Sequence, residues 1–252
     1  AREALVVCRN VMETHRRYEP RKPCIRKHAP HVVEDPEARD FMERYNRRSY
    51  DWITPIRTPF SELEHETLNA MYNAEVAYED HLLRPLLRHL DEPEIRDNTL
   101  VILTSDHGEG LDHHGYVGHS LVTYEDLIRV PLILRDPAHY PAGTTVEAPI
   151  STRRLYHTVL EAAGCAADEE TDALSLRRTV TPTAGEPAPD EPVWSEAVAP
   201  LTMVKLMEKQ NPEAIERFRC RETRRALYEG VKKLVTVGDE PEELFDVGAD
   251  PA

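Results

Sequence analysis

Leu100-Val101-Ile102-Leu103-Thr104 is an unbroken apolar run that opens directly into Ser105-Asp106-His107-Gly108-Glu109. A strand with no polar face is one covered on both sides, so the run predicts a central strand of an α/β sheet. Ligands of open α/β sheets gather beyond the carboxyl ends of strands, where loops can carry polar groups without burying them. A second apolar run, Val130-Pro131-Leu132-Ile133-Leu134, follows a loop rich in glycine and histidine. Residues 5–8 predict a further short buried strand.

Helical spacing dominates residues 62–90, where Leu68, Met71, Tyr72, Glu75, Val76, Leu82, Leu83, Leu86 and Leu87 recur mostly at intervals of three and four. Pro85 lies within that stretch, positioned to kink or end the helix. Residues 152–163 predict a helix closed by Gly164. Residues 24–59 read as an excursion or irregular helical insertion, and residues 166–190 as a surface loop rich in Glu, Asp, Thr, Ala and Pro. Short strands are expected around 224–228, 232–237 and 243–247, together with a terminal helix or hairpin. Strands alternating with helices point to a parallel or mixed α/β sheet.

Charge narrows the function classes. Against 31 Lys+Arg stand 46 Asp+Glu, a net charge of −15, whereas neutralising a phosphate backbone requires a basic face. Nucleic acid is therefore not an expected partner. Only six of those cations are lysines: Lys22, Lys27, Lys205, Lys209, Lys232 and Lys233. An acidic, lysine-poor, arginine-rich chain fits a high-salt cytoplasm, where screening removes the self-repulsion; ordinary acidity under a GC-rich codon bias is the alternative. No run of about 18 apolar residues offers a transmembrane helix. Residues 1–10 lack the basic-then-apolar pattern of a signal peptide, which favours a cytoplasmic location. They also lack an initiator Met, as expected of a chain whose start lies upstream. Cys8, Cys24, Cys165 and Cys220 show no close pairing and suggest no disulfide framework or zinc ribbon.

The chemistry concentrates after the first apolar run. Asp106 and His107 are neighbours on a loop and can converge on one cation; a carboxylate oxygen with an imidazole nitrogen suits Mn, Zn or Fe better than Ca. The plainer alternative is a strand-end turn in which Asp106 caps a backbone group. Gly108 and Gly110 permit sharp turns and close backbone approach. His113, His114 and His119 follow closely, a density that marks either a solvated polar loop or a ligand and proton-transfer cluster. Neither a zinc-finger spacing nor HExxH is present.

Across these landmarks the sequence resembles the sulfatase family of the alkaline-phosphatase-like superfamily. The resemblance rests on residues 97–109, then His114-Gly115, Gly118-His119, Tyr124-Glu125 and Arg129-Val130-Pro131-Leu132-Ile133. Upstream, Met12-Glu13-Thr14-His15 with Tyr18 and Pro20, and Tyr72-Asn73-Ala74-Glu75-Val76 with Tyr78 and Asp80, follow in family order. Downstream come residues 155–164, Glu243-Leu244-Phe245-Asp246 and Asp250-Pro251.

The resemblance implies an α/β sandwich with a central, mostly parallel mixed sheet flanked by helices. Residues 1–165 would form the latter part of that domain, residues 166–190 a surface loop and residues 191–252 a small C-terminal subdomain. It also implies metal-assisted hydrolysis of a sulfate ester carried by a small molecule or glycan. Asp106 and His107 align with two ligands of one divalent cation, Ca by family expectation, with Mn or Zn admitted by the imidazole. His15 aligns with a histidine that contacts the substrate or assists the leaving oxygen, and His119 with a cationic residue facing the sulfate. The same resemblance assigns His113 and His114 to outer positions and His157 to a helix surface. The family's Cys- or Ser-x-Pro-x-Arg nucleophile motif, from which formylglycine is made, does not occur in these 252 residues. Nor does the acidic pair of the first strand, so the N-terminal strands are expected to be missing. The chain then reads as a fragment or natural truncation. A phosphodiester or phosphonate hydrolase of the same superfamily, or a non-catalytic remnant that binds metal or anion, remains as the alternative.

Overall fold

The computed structural model describes residues 4–47, 60–165, 173–180 and 192–249. Three short helices, α1 (Lys22–His28), α2 (Pro30–Glu34) and α3 (Pro36–Arg47), precede the long helix α4 (Glu62–Leu90). All three begin with proline at the first or second position, where its missing N–H would have no helical acceptor in any case. The region read as an excursion or irregular helical insertion is helical, in three pieces, through residue 47, and residues 48–59 lie outside the described residues.

Helix α4 starts at a reciprocal cap: Glu64 donates its amide to Ser61 Oγ at 3.2 Å, and Ser61 donates its amide to Glu64 Oε2 at 3.1 Å. It runs through Pro85 to Leu90. Pro85 and His81 are both exposed, so the carbonyl left without its usual donor can be hydrated by solvent. Thr67, Leu68, Met71, Ala74 and Glu75 form its buried stripe. Leu68 and Met71 of that stripe pack with Tyr18, Val32, Phe41, Met42 and Tyr45 into one core cluster.

Strand β1 (Val101–Thr104) pairs with β4 (Leu132–Arg135) and runs antiparallel to it, with Ile102 opposite Leu134. Both strands are only half-buried. This corrects the expectation of a central, mostly parallel sheet: among the described residues every strand pairing is antiparallel, and β1 and β4 pair only with each other. Apolar content gave the strand but could not give its neighbour, because direction depends on what lies alongside. Residues 5–8 likewise form no strand, and Leu5, Val6 and Val7 are exposed. No described strand lies beside them to complete their hydrogen bonds.

Between β1 and β4 lie the two-residue strands β2 (Gly110–Leu111) and β3 (Val117–Gly118) and the helix α6 (Glu125–Ile128); α5 (Pro93–Arg96) precedes β1. The β2–β3 hairpin straddles two cores. Leu111 and Val117 belong to the α1–α4 cluster. Tyr116, Leu121, Val122 and Leu127 pack instead with Val204, Met207, Ile215 and Cys220.

Helix α7 (Arg154–Ala162) appears where expected, and Gly164 follows it at φ +69. The described part of the anticipated surface loop instead carries a helix, Leu176–Val180, docked on α7: Leu176 donates its amide to Thr158 Oγ1 at 3.0 Å. Toward the C-terminus β5 (Val193–Ala197), β6 (Arg224–Glu229), β7 (Lys232–Val237) and β8 (Glu240–Asp246) form a four-stranded antiparallel sheet, with helices Leu201–Gln210 and Pro212–Arg217 inserted after β5. Cys220 is buried, while Cys8 and Cys165 are exposed free thiols.

Candidate active site

Three of the four anticipated site residues are imidazoles, and they meet. The rings of His107 and His119 stack with centroids 4.3 Å apart, and His15 lies 5.1 Å from His119. His15 comes from the turn at residues 12–17, His107 from the loop after β1 and His119 from the end of β3. Asp106 stands at the rim, 85% exposed, with its Oδ1 3.8 Å from His107 Nε2.

Hydrogen bonds fix which ring nitrogen is free. His107 Nδ1 lies 2.8 Å from the carbonyl oxygen of Gly108, and His15 Nδ1 lies 2.7 Å from that of Arg16. A carbonyl only accepts, so each Nδ1 must carry a proton. In the neutral ring the lone pair is then on Nε2, the arrangement a metal-ligating imidazole requires. For His107 that nitrogen lies 3.8 Å from Asp106 Oδ1, and the same oxygen accepts the His107 backbone amide at 3.0 Å, the capping contact that the sequence offered as the plainer alternative. Two donors about 2.1 Å from one ion can be at most about 4.2 Å apart, so a separation of 3.8 Å admits a shared cation. The pair supplies only two donors, and among the described residues no group of three or more His, Cys, Asp or Glu side chains is arranged around a metal position.

The loop geometry follows from its glycines. Gly108 donates its amide to the Leu127 carbonyl at 2.7 Å, and a Cβ on it would sit 1.9 Å from the Asp126 carbonyl oxygen. Only glycine allows this approach to α6. Gly118, immediately before His119, has φ +91, and a Cβ there would meet the Arg16 guanidinium at 3.1 Å. Ser105 Oγ donates to the His107 carbonyl at 2.6 Å and closes the turn.

Glu109 is the residue that sequence reasoning left without a role. Its side chain is 4% exposed, and its two oxygens lie 3.3 and 3.4 Å from His119 Nδ1. The signal was present in the hairpin: with Gly110 paired to Gly118, the next positions outward are Glu109 and His119. Below lie Tyr18, Tyr45 and Tyr72. Burial chiefly, with the Glu109 charge adding, raises all three phenols above their usual range, so they stay protonated.

The other histidines stand apart from this group. His113 packs edge-on against His65 at 5.7 Å, His114 stacks on Tyr124 at 4.3 Å, and His157 packs against Tyr156 at 5.2 Å.

The loop, its histidines and the preceding helices all fall within residues 11–165, the stretch matched by the family model described as Sulfatase. The chain belongs to the sulfatase family. Arylsulfatase K of Xenopus laevis is 33% identical over 119 residues, covering 47% of this chain and 22% of that protein. Choline-sulfatase of Rhizobium meliloti (strain 1021) is 28% identical over 183 residues, covering 71% and 31%. This sulfatase chain therefore spans less than a third of the length of these two relatives. Among solved structures, the phosphonate monoester hydrolase of Agrobacterium radiobacter superposes with a TM-score of 0.58 at 24% identity, over 76% of this chain and 37% of that one. A protein solved with its substrate D-glucosamine-2-N,6-O-disulfate gives 0.58 at 20% identity, over 97% and 54%. The mixed α/β fold is one shared with sulfatases and phosphonate hydrolases. Among the described residues no helix is long and apolar enough to cross a membrane.

Proposed function

We propose that this chain carries part of the active site of a sulfate ester hydrolase. The observation that supports the reading best is the meeting of His15, His107 and His119, with His107 Nε2 3.8 Å from Asp106 Oδ1. Asp106 and His107 would hold a divalent cation from one side, Ca by family expectation and Mn or Zn by the chemistry of a nitrogen donor. Such a cation, when bound, neutralises charge on the ester group.

The remaining work falls to this chain's own side chains. His119 has Nδ1 against Glu109, and its other ring nitrogen, when also protonated, can donate to a sulfate oxygen and stabilise developing negative charge. His15 is exposed, and its Nδ1 is tied to the backbone. Its Nε2, when protonated, can donate to the leaving oxygen as a general acid. The substrate class is a sulfate ester of a small molecule or glycan, in keeping with the names of its relatives. The nucleophile is not among these residues.

Elemental analysis after equilibration with MnCl2 tests the cation pair. The unmodified chain should retain the ion, and Asp106→Ala with His107→Ala should abolish retention; undiminished content in the double variant would overturn the assignment. Asp106→Asn should retain part, because an amide oxygen still coordinates. Release of nitrophenol from its sulfate and phosphate esters, by a protein that carries these residues together with the nucleophile motif, tests the substrate. Predominant phosphate release would replace the sulfatase activity with that of a phosphodiester or phosphonate hydrolase.

A further inference from the structure

We infer that the outward face of the C-terminal sheet is a self-association surface, on which a second copy of this chain docks through an apolar row formed by Trp194, Leu227, Leu234 and Leu244. The inference does not depend on the hydrolase reading.

Strand register builds the row. Trp194 of β5 lies opposite Leu227 of β6, Leu227 opposite Leu234 of β7, and Leu234 opposite Leu244 of β8. Directly paired residues share one face of a sheet, so the four side chains form a single line from edge to edge. The alternate positions Ala226, Tyr228, Val235 and Val237 are buried, whereas the row is exposed, from 36% at Leu234 to 70% at Leu244. A solvated sheet face ordinarily places polar residues outward. The positions flanking the row obey that rule: Glu196 and Arg225 stand on one side, and Glu229, Lys232 and Asp246 on the other. Only the centre departs from it. An apolar centre rimmed by charge is the anatomy of a protein interface.

Charge selects the occupant. Arg225 is paired with Glu196 at 2.6 Å and Lys232 with Asp246, so this rim is nearly balanced while the whole chain carries −15. A basic partner would be drawn to more acidic surface elsewhere, and an anionic membrane or a nucleic acid needs a basic patch. A second copy is repelled least at a balanced face. The rim is also self-complementary. A two-fold axis parallel to the strands lays β6 over β7 of the second copy and brings Glu229 to Lys232 of that copy. An axis across the strands brings Glu229 to its Arg225 instead, so either arrangement matches opposite charges. Area sets the strength. Four strands about 4.8 Å apart, each about six residues long at about 3.3 Å per residue, present about 400 Å². A typical stable complex buries about 800 Å² per partner, so this dimer should be weak and concentration-dependent.

The test is sedimentation velocity on the full chain, from low-micromolar to submillimolar concentration, at several KCl concentrations. The mass should rise from one chain to two. The dissociation constant should fall as KCl is raised, because screening relieves the repulsion between two acidic chains; association driven by ion pairs would weaken instead. Leu227→Glu should raise the dissociation constant at least about tenfold. Leu227→Thr keeps a residue suited to a strand, guards against misfolding of the charged variant, and should weaken association in the same direction. Tyr156→Ser, at an exposed aromatic outside the row, should leave it unchanged. In a Trp52→Phe background Trp194 is the sole indole, and its emission should shift to the blue as the dimer forms. A monomer at every concentration, a dimer insensitive to both Leu227 variants, or Trp194 emission unchanged on association would each overturn the inference. A blue shift on neutral phosphatidylcholine vesicles without self-association would give the face to a lipid surface and overturn it as well.

Discussion

His119 lies flat on His107, ring against ring at 4.3 Å, while its own Nδ1 looks away toward the buried Glu109 carboxylate. One imidazole thus joins a solvent-facing loop to an acid sealed beneath it. His119→Phe preserves the stack but deprives Glu109 of its donor. The expected outcome is a destabilisation of about 1–3 kcal/mol, the desolvation cost of an orphaned buried polar group, read as a lower urea midpoint. An unchanged midpoint would mean that Glu109 has other donors sufficient to hold it.

Gly108→Ala should be more damaging than its single methyl suggests. The new Cβ would lie 1.9 Å from the Asp126 carbonyl oxygen, so the loop must leave α6 and give up the Gly108 to Leu127 hydrogen bond. Overpacking of this kind costs about 1–3 kcal/mol. Cation retention should fall with it, because Asp106 and His107 ride on the same turn. Native stability and retention in the variant would show that the loop tolerates displacement.

The C-terminal sheet is fastened to α6 by a buried ion pair. Lys233 Nζ donates to Glu125 Oε1 at 2.8 Å, and Tyr228 also donates its hydroxyl to that oxygen. Burial lowers the Lys233 ammonium from its usual range, with Glu125 opposing the effect. Lys233→Met leaves the carboxylate buried with the phenol alone and should cost about 3–5 kcal/mol. Adding Glu125→Leu should recover much of that loss, because two apolar side chains can replace a buried pair at little cost. Chemical denaturation of both variants checks the order; a double variant less stable than the single one would contradict it.

Glu75 gives the fold a pH dependence. It is 3% exposed, accepts the Glu19 amide, and its carboxyl is pushed up to about 7, chiefly by burial and secondarily by the Glu13 and Glu19 charges. The folded state therefore binds the proton more tightly than the unfolded state. The stabilising contribution is complete below about pH 4.5, the unperturbed value, and is lost as pH rises through about 7. The loss is at most about 3 kcal/mol. Glu75→Gln should flatten this part of the stability profile, measured by urea denaturation from pH 4 to 8; an unaltered slope would exclude Glu75 as its source.

Salt should stabilise the chain as a whole. With a net charge of −15 and only six lysines, self-repulsion is expected in dilute buffer and should be screened at high ionic strength. Circular dichroism should show folding retained in multimolar KCl and weakened in dilute buffer. The reverse order would reject adaptation to high salt.

Much of this organisation was legible in the sequence where it depends on near neighbours. The spacing of Leu68 and Met71 gave helix α4, and short strands were expected near three of the four strands of the C-terminal sheet, with β5 (Val193–Ala197) unanticipated. Pro85 does not end the helix, and the carbonyl it frees belongs to the exposed His81, where solvent can hydrate it. Residues 5–8 were misleading because β-branched content favours a strand only when another strand is present to pair with it.

The sequence by itself determined that a carboxylate and an imidazole stand side by side at Asp106 and His107, and that glycines at 108 and 110 free the backbone around them. Both facts belong to residues adjacent along the chain. Tertiary structure alone decided that His15 and His119 join His107 and that Glu109 anchors one of them. It also decided that β1 runs against β4 rather than in a parallel array. Those relations are fixed by burial, ring stacking and strand register between segments far apart in sequence, and no local pattern of residues carries that information.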